Sequence, residues 1–344
     1  LQDHLLEVVR AYWRLYLQRA VYAQKQTHLK RAERIQEHLQ ARRGVDALES
    51  QILRAQAAVA ARETELLRAR TAIRNAESRI RALVDDPALQ TEVGGELVPR
   101  ELPTAPLVDI PLNDALYAAL HHRPEIDEAA RRVRAAQLRL DLASHELLPV
   151  LNVVLDAYVA GLEGSGDIPQ AFGNQFTVGE PGFTLGLVGE MPLGSREARA
   201  RQRRRTLEVR QLANDLQATT DLLLAEVEVA VREVHTSARE ADSAREAMKA
   251  AQGEVAYLDE RWQMLPGDNQ AASFLLQDLL DSQDRLADAE RAVVAAQVNY
   301  ALAHCQLKRA TGTLLDCQQI SVHRVCDGCA PVSYTHLRAH ETRY

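Results

Sequence analysis

The sequence predicts a mainly α-helical chain with a small β part, built from long antiparallel helical hairpins and one β-hairpin. Three observations predict it. From Val209 to Trp262, small or apolar residues return about every 3.5 positions: Val209, Leu212, Leu216, Thr220, Leu223, Val227, Ala230, Val234, Ala238, Ala241, Met248, Ala251, Val255, Leu258 and Trp262. That is the period of a coiled-coil seam, held over roughly seven heptads. Apolar and polar residues alternate from Leu151 and again from Phe183, the period of a strand. The composition is rich in Ala, Leu, Arg, Glu and Gln and only 4% aromatic, which suits long helices better than a compact core.

Charge and composition exclude several classes. The net charge of −7 argues against general nucleic-acid binding. No apolar run approaches about 20 residues, so no transmembrane helix is expected. Neither a phosphate loop nor a nucleophile elbow nor a paired carboxylate in a plausible pocket is found, so neither catalytic residues nor a cofactor is expected. His323, Cys326 and Cys329 stand three apart but fall one ligand short of a structural zinc site, so no metal is expected either. Cys305 reads as a small packed hydrophobe.

The first element is a helix from Leu1 to Gln40, with Leu5, Val8, Tyr12, Leu15, Arg19, Tyr22 and Leu29 as its stripe. Leu1 falls inside this pattern and no initiator Met precedes it, so the natural N-terminus is expected upstream. Arg42-Arg43-Gly44-Val45-Asp46 is a turn signal, and a second helix runs from Ala47 to Leu83 before Asp85-Asp86-Pro87. The span 90–111 holds four prolines and two glycines and reads as an irregular connector. A short helix follows from Leu112 to His121, whose His121-His122 pair reads as a solvated helix end.

Arg123-Pro124-Glu125 starts the next helix, with Pro in its first turn and Glu125, Asp127 and Glu128 favourable at the N-terminus. It is expected to reach Leu147, with Ala129, Ala136 and Ala143 as a small-residue stripe. The two strands come next: Leu151, Val153, Leu155, Ala157 and Val159 share one face, and Phe183, Leu185, Leu187, Gly189 and Met191 share one face. Each is near the roughly 9–11 residues of a transmembrane β-strand. Two strands alone are marginal in water, so they must join others. Between them, 161–182 reads as a glycine-rich polar loop.

No proline interrupts Ser195 to Leu265, a helix of roughly 105 Å at 1.5 Å per residue. Its start carries an arginine cluster (Arg196, Arg199, Arg201, Arg203, Arg204, Arg205) that reads as a solvated helix face; because it opposes the helix dipole, the alternative is contact with anionic headgroups or acidic side chains. Leu265-Pro266-Gly267-Asp268-Asn269 turns the chain, and a return helix runs from Ala271 to Thr311. A shift of 227 superposes Gln56 on Gln283, Ala60 on Ala287, Glu63 on Glu290 and Ile80 on Leu307, the mark of duplicated halves. Residues 332–344, with Val-Ser-Tyr-Thr-His-Leu-Arg-Ala-His-Glu-Thr at 332–342, look like a translated library adapter.

Several stretches together resemble the outer-membrane efflux protein (TolC-like) family. They are Arg123-Pro124-Glu125-Ile126, Leu148-Pro149 entering a strand, and Gly186-Leu187 through Met191-Pro192-Leu193-Gly194 into an arginine-rich helix. Leu280-Asp281-Ser282-Gln283 and Leu307-Lys308-Arg309-Ala310-Thr311-Gly312 complete the set. The resemblance covers about Leu1 to Leu315. It implies a homotrimeric tube whose protomers give β-hairpins to a β-barrel in outer-membrane lipid and helical hairpins to a periplasmic α-barrel. It also implies a periplasmic adaptor (membrane fusion) protein and an inner-membrane pump as partners, with no nucleic acid.

On this reading, residues 1–85 are the first helical hairpin, N-terminally truncated, and 86–122 the equatorial connector. Residues 123–148 lead to the barrel, 149–193 form the membrane β-hairpin, and 194–315 the second helical hairpin, with a tail at 316–331. Asp278 and Asp281 match the family's entrance aspartates, and the tips Gly44, Val45, Leu265, Pro266 and Gly267 match its adaptor contacts. The barrel strands would carry Leu151, Val153, Leu155, Phe183, Leu185 and Leu187. The implied function is the exit duct of a tripartite efflux or type I secretion system. The alternative is a periplasmic coiled-coil scaffold, which explains the helical hairpins and leaves the strands unexplained.

Overall fold

The computed structural model describes residues 1–87, 89, 95–103, 110–160, 168–178, 180–191, 196–264 and 270–320. The chain forms two compact units, one of residues 1–123 with 222–344 and one of residues 124–221.

In the first unit, α1 (Gln2–Ala41) and α2 (Glu49–Val84) form an antiparallel hairpin. Neither contains Gly or Pro, so nothing breaks the backbone ladder over 40 and 36 residues. The turn between them is closed by Arg42, which grips Asp46 with both arms of its guanidinium, Nε to Oδ1 at 2.8 Å. Gly44 takes φ +80, a conformation that glycine adopts without strain. A short α3 (Leu112–His122) follows. The residues 222–264 of the long helix α6 (Arg196–Met264), α7 (Gln270–Ala310) and a one-turn α8 (Leu314–Cys317) complete the unit.

Every seam residue expected in α6 is buried or half-buried, and none is exposed. The stripe on α1 is covered by the same measure: Leu15 is buried, and Leu5, Val8, Tyr12, Arg19, Tyr22 and Leu29 are half-buried. The fully buried residues of α1 are Leu6, Ala11, Trp13, Leu15, Val21, His28, Ala32, Ile35 and Leu39, a wider face than the stripe alone. The reason is that α1 packs against both α2 and α7, which widens its covered face beyond one stripe.

Among the described residues, three clusters make the core of this unit. Near the α1–α2 turn, Ile35, Leu39 and Ile52 meet Trp262, Leu276 and Leu279. Farther along, Ala115 and Ala119 of α3 pack with Val227, Val231 and Val234 of α6 and with Tyr300 and Leu307 of α7. Trp13 packs on Val298 and Ala301, with the rings of Tyr12 and Tyr16 edge-on at 5.2 and 5.8 Å. Helix α7 is 41 residues against 36 for α2, and Gln51 bonds Ser273, 222 positions on. The shift of 227 therefore matches the helix ends rather than the helix starts.

The end of α7 is fixed by two residues of the family-like motifs. Gly312 takes φ +78, and a Cβ there would stand 2.6 Å from the carbonyl oxygen of His122. Only glycine fits, on both counts. Arg123, buried, donates from Nη1 to the Arg309 carbonyl at 3.1 Å and from Nη2 to Glu226 at 2.9 Å. Arg309 pairs with the other oxygen of Glu226 at 2.6 Å and with Asp3 at 2.6 Å.

In the second unit, α4 (Pro124–His145) is followed by β1 (Val150–Tyr158), α5 (Ile168–Thr177), β2 (Gly182–Glu190) and the first part of α6, up to Asp221. Helix α4 ends two residues earlier than expected, in a turn at 146–148. Ala136 and Ala143 are buried and Ala129 half-buried, so the small-residue stripe is the packed face. The expected polar loop instead contains α5, with Pro169 in its first turn, where the missing N–H costs nothing. The ring of Tyr158 lies over its cross-strand partner Gly182, where a Cβ would meet it at 2.5 Å.

Candidate functional site

The β-hairpin is antiparallel, and its register pairs Leu151 with Gly189, Val153 with Leu187, Leu155 with Leu185 and Ala157 with Phe183. Alternation along each strand places these partners on one face, and a slip by one residue would have split them. The apolar sets of both strands therefore merge into a single surface. Its six large side chains, Leu151, Val153, Leu155, Phe183, Leu185 and Leu187, are each 68–75% exposed. The other face carries Asn152, Asp156, Thr184 and Glu190 beside Val154 and Val188. Six large apolar side chains on one small ribbon form a surface that water alone does not favour.

At the hairpin tip, Val45 stands 83% exposed beside Gly44. Leu265, Pro266 and Gly267 lie outside the described residues. Asp278 and Asp281 are exposed on one face of α7 together with Phe274, at four- and three-residue steps. Arg285, one turn further, is held by Glu254 of α6 at 2.6 Å. That hydrogen bond raises its pKa first, with smaller contributions from Asp281 and Asp278.

Behind this face lies a polar network that sequence reasoning missed. The guanidinium of Arg62, buried on α2, donates to Gln283 Oε1 at 2.9 Å, to Asp284 Oδ1 at 3.0 Å and to the His28 carbonyl at 3.3 Å. The Nε2 of buried His28 also meets Asp284 Oδ1, at 2.9 Å. Burial lowers the pKa of Arg62 against the opposing pull of Asp284. For Asp284, burial alone would raise the carboxyl; the His28 hydrogen bond and the Arg62 charge outweigh it and hold it below 3.8.

A depressed folded pKa stabilises the protein above the usual value and loses that contribution as pH falls through it. Asp284→Asn is therefore expected to flatten the loss of stability below pH 3.8, read by urea titration at descending pH. An unchanged acid limb would mean that the network does not hold this carboxylate.

Of the arginine cluster, Arg201 pairs with Glu146 at 3.4 Å and Arg205 with Glu208 at 2.6 Å. Arg196, Arg199, Arg203 and Arg204 are exposed, with no ion pair among the described residues. Cys305 is half-buried, and burial raises its thiol pKa; Cys317 is exposed. His323, Cys326 and Cys329 lie outside the described residues. His121 is exposed, its ring tilted against that of Tyr117 with centroids 4.3 Å apart.

Long helices with one β-hairpin that exposes an apolar face define the class of fold: a mainly α chain with a small two-stranded ribbon. Among solved structures, this is the fold of outer-membrane channels. The chain matches the CmeC outer membrane channel of Campylobacter jejuni with a TM-score of 0.66 at 16% identity, covering 91% of this chain and 63% of that one. It matches the outer membrane protein VceC of Vibrio cholerae at 0.66 and 21%, covering 90% and 70%. It matches the open state of the Neisseria gonorrhoeae MtrE outer membrane channel at 0.65 and 17%, covering 91% and 67%. No protein-family model and no curated protein sequence matches the chain. The fold class read from the sequence and the TolC-like likeness of fold are both as expected.

Proposed function

We propose that this chain is part of an outer-membrane exit duct. In this reading, three copies place their β-hairpins in the lipid and their helical hairpins in the periplasm. The observation that carries the reading is the in-register apolar face of the ribbon, exposed along its whole length in a fold shared with outer-membrane channels. A closed barrel satisfies every strand edge, and lipid covers the apolar face. The tips, with Val45 at the apex, would dock a periplasmic adaptor that connects the duct to an inner-membrane pump. The duct carries cargo outward, small molecules in efflux or proteins in type I secretion, and performs no covalent chemistry.

Asp278 and Asp281 would form rings of carboxylates at the periplasmic entrance, with Phe274 on the same face narrowing the opening. Such rings favour cations. The full-length protein is expected to conduct in planar bilayers with cation selectivity, and Asp278→Asn with Asp281→Asn to reduce that selectivity severalfold and to relieve block by multivalent cations. Absence of any conductance would overturn the duct. Unchanged selectivity in the double variant would remove these two residues from the entrance.

A further inference from the structure

Helix α5 is turned inside out for a helix in water. Ile168, Phe172 and Phe176 recur at every fourth position and share one face. They are 80, 65 and 70% exposed, and the two phenyl rings stand edge to face at 5.6 Å. The half-buried side carries Asn174 and Gln175 beside the small Ala171, with no large apolar residue. The Nε2 of Gln175 donates to the Val159 carbonyl at 3.0 Å, one residue past the end of β1. A surface helix in water directs its apolar stripe inward; this one directs it outward.

That hydrogen bond holds α5 at the loop end of the ribbon. There Phe183, at the start of β2 and 71% exposed, belongs to the ribbon's apolar face. No residue from Ile168 to Val178 carries a charge, so the segment enters an apolar medium without stripping water from an ion. A stable protein partner would need roughly 800 Å² on each side, far more than three side chains offer. A water-filled lumen would leave the stripe as exposed as it is in isolation.

We infer that α5 is an interfacial lipid anchor. It lies in the plane of the outer leaflet at the rim of the barrel, with Ile168, Phe172 and Phe176 among the acyl chains just beneath the headgroups. This rests on the reading that the ribbon's apolar face meets lipid.

The test uses the full-length protein in vesicles of phosphatidylethanolamine and phosphatidylglycerol, doped with lipids brominated either near the headgroup or near the chain ends. Phe172→Trp and Phe176→Trp report on α5, and Val153→Trp reports on the ribbon. Each is read as the difference from the unsubstituted protein, whose Trp13 and Trp262 are buried. Headgroup-proximal bromines are expected to quench both α5 reporters at least about twofold more than chain-end bromines, with little quenching by aqueous iodide. If Val153→Trp is quenched by bromolipid and both α5 reporters are not, the anchor is overturned and the duct stands. Protection of α5 from lipid and iodide alike would mean that protein covers it, and would also overturn the anchor. Absence of bromolipid quenching at Val153→Trp would overturn the duct itself.

Discussion

Arg123→Ala is expected to destabilise the first unit by about 3 kcal/mol, the lower end of the cost of breaking a buried ion pair. The lower end applies because Glu226 keeps a second partner in Arg309 at 2.6 Å. What goes unreplaced is the side-chain donor to the Arg309 carbonyl at the end of α7, which keeps only the Gly312 N–H at 3.0 Å. The volume of a side chain only 5% exposed is lost as well. Arg123→Lys separates the two effects, since an ammonium keeps the charge but cannot reproduce the planar fork that reaches carboxylate and carbonyl together. It should fall between Ala and the unsubstituted protein in urea titration. Arg132→Ala, removing an exposed pair with Glu128 on α4, is the control and should barely move the midpoint. Equal midpoints for Arg123→Ala and Arg132→Ala would show that Arg123 is not a clamp.

Arg123 also shows where sequence reasoning stops. Its place before Pro124 and Glu125 marked a helix start, and that local chemistry was legible. Its partner Arg309 lies 186 positions away, and no local pattern announces that contact. The same holds for Arg62, His28 and Asp284. Each looks like a solvated charge on its own helix, and only the meeting of three helices buries the first two. Gly312 closes the Leu307–Gly312 motif, yet its necessity comes from the His122 carbonyl pressed against it.

What was legible was periodic. The stripes of α6 and α1 are both covered, and α1, packed against α2 and α7, buries residues beyond its stripe as well. Strand alternation was visible, and the register then placed Val153 opposite Leu187 as the shared apolar face requires. Helix α5 was missed because Gly173 and the surrounding glycines signal loops. Its four-residue recurrence of Ile168, Phe172 and Phe176 was the available sign, too short to stand out beside the glycines. The candidate entrance residues came from resemblance alone; nothing in the spacing of Asp278 and Asp281 separates them from other exposed aspartates on a helix.

Val153→Arg is expected to cost about 2–4 kcal/mol of assembled stability, whereas its neighbour Asn152→Arg is tolerated. Val153 is the fourth residue of the nine in β1, near mid-strand, and faces outward with Leu187 as its partner. In a barrel that position meets the hydrocarbon, where a guanidinium finds neither water nor a counter-charge. Asn152 sits one residue away on the face with Asp156 and Glu190, which on the proposed reading would face an aqueous interior. Both substitutions add the same bulk and charge to the same strand, so a difference between them isolates the face. The readout is the fraction of full-length protein recovered as outer-membrane trimer after membrane separation, with Leu185→Arg as a second lipid-facing position. Loss for Val153→Arg and Leu185→Arg but not Asn152→Arg is the expected pattern. Equal losses at all three would mean that the apolar face is covered by protein rather than lipid, and the barrel assignment would fall with it.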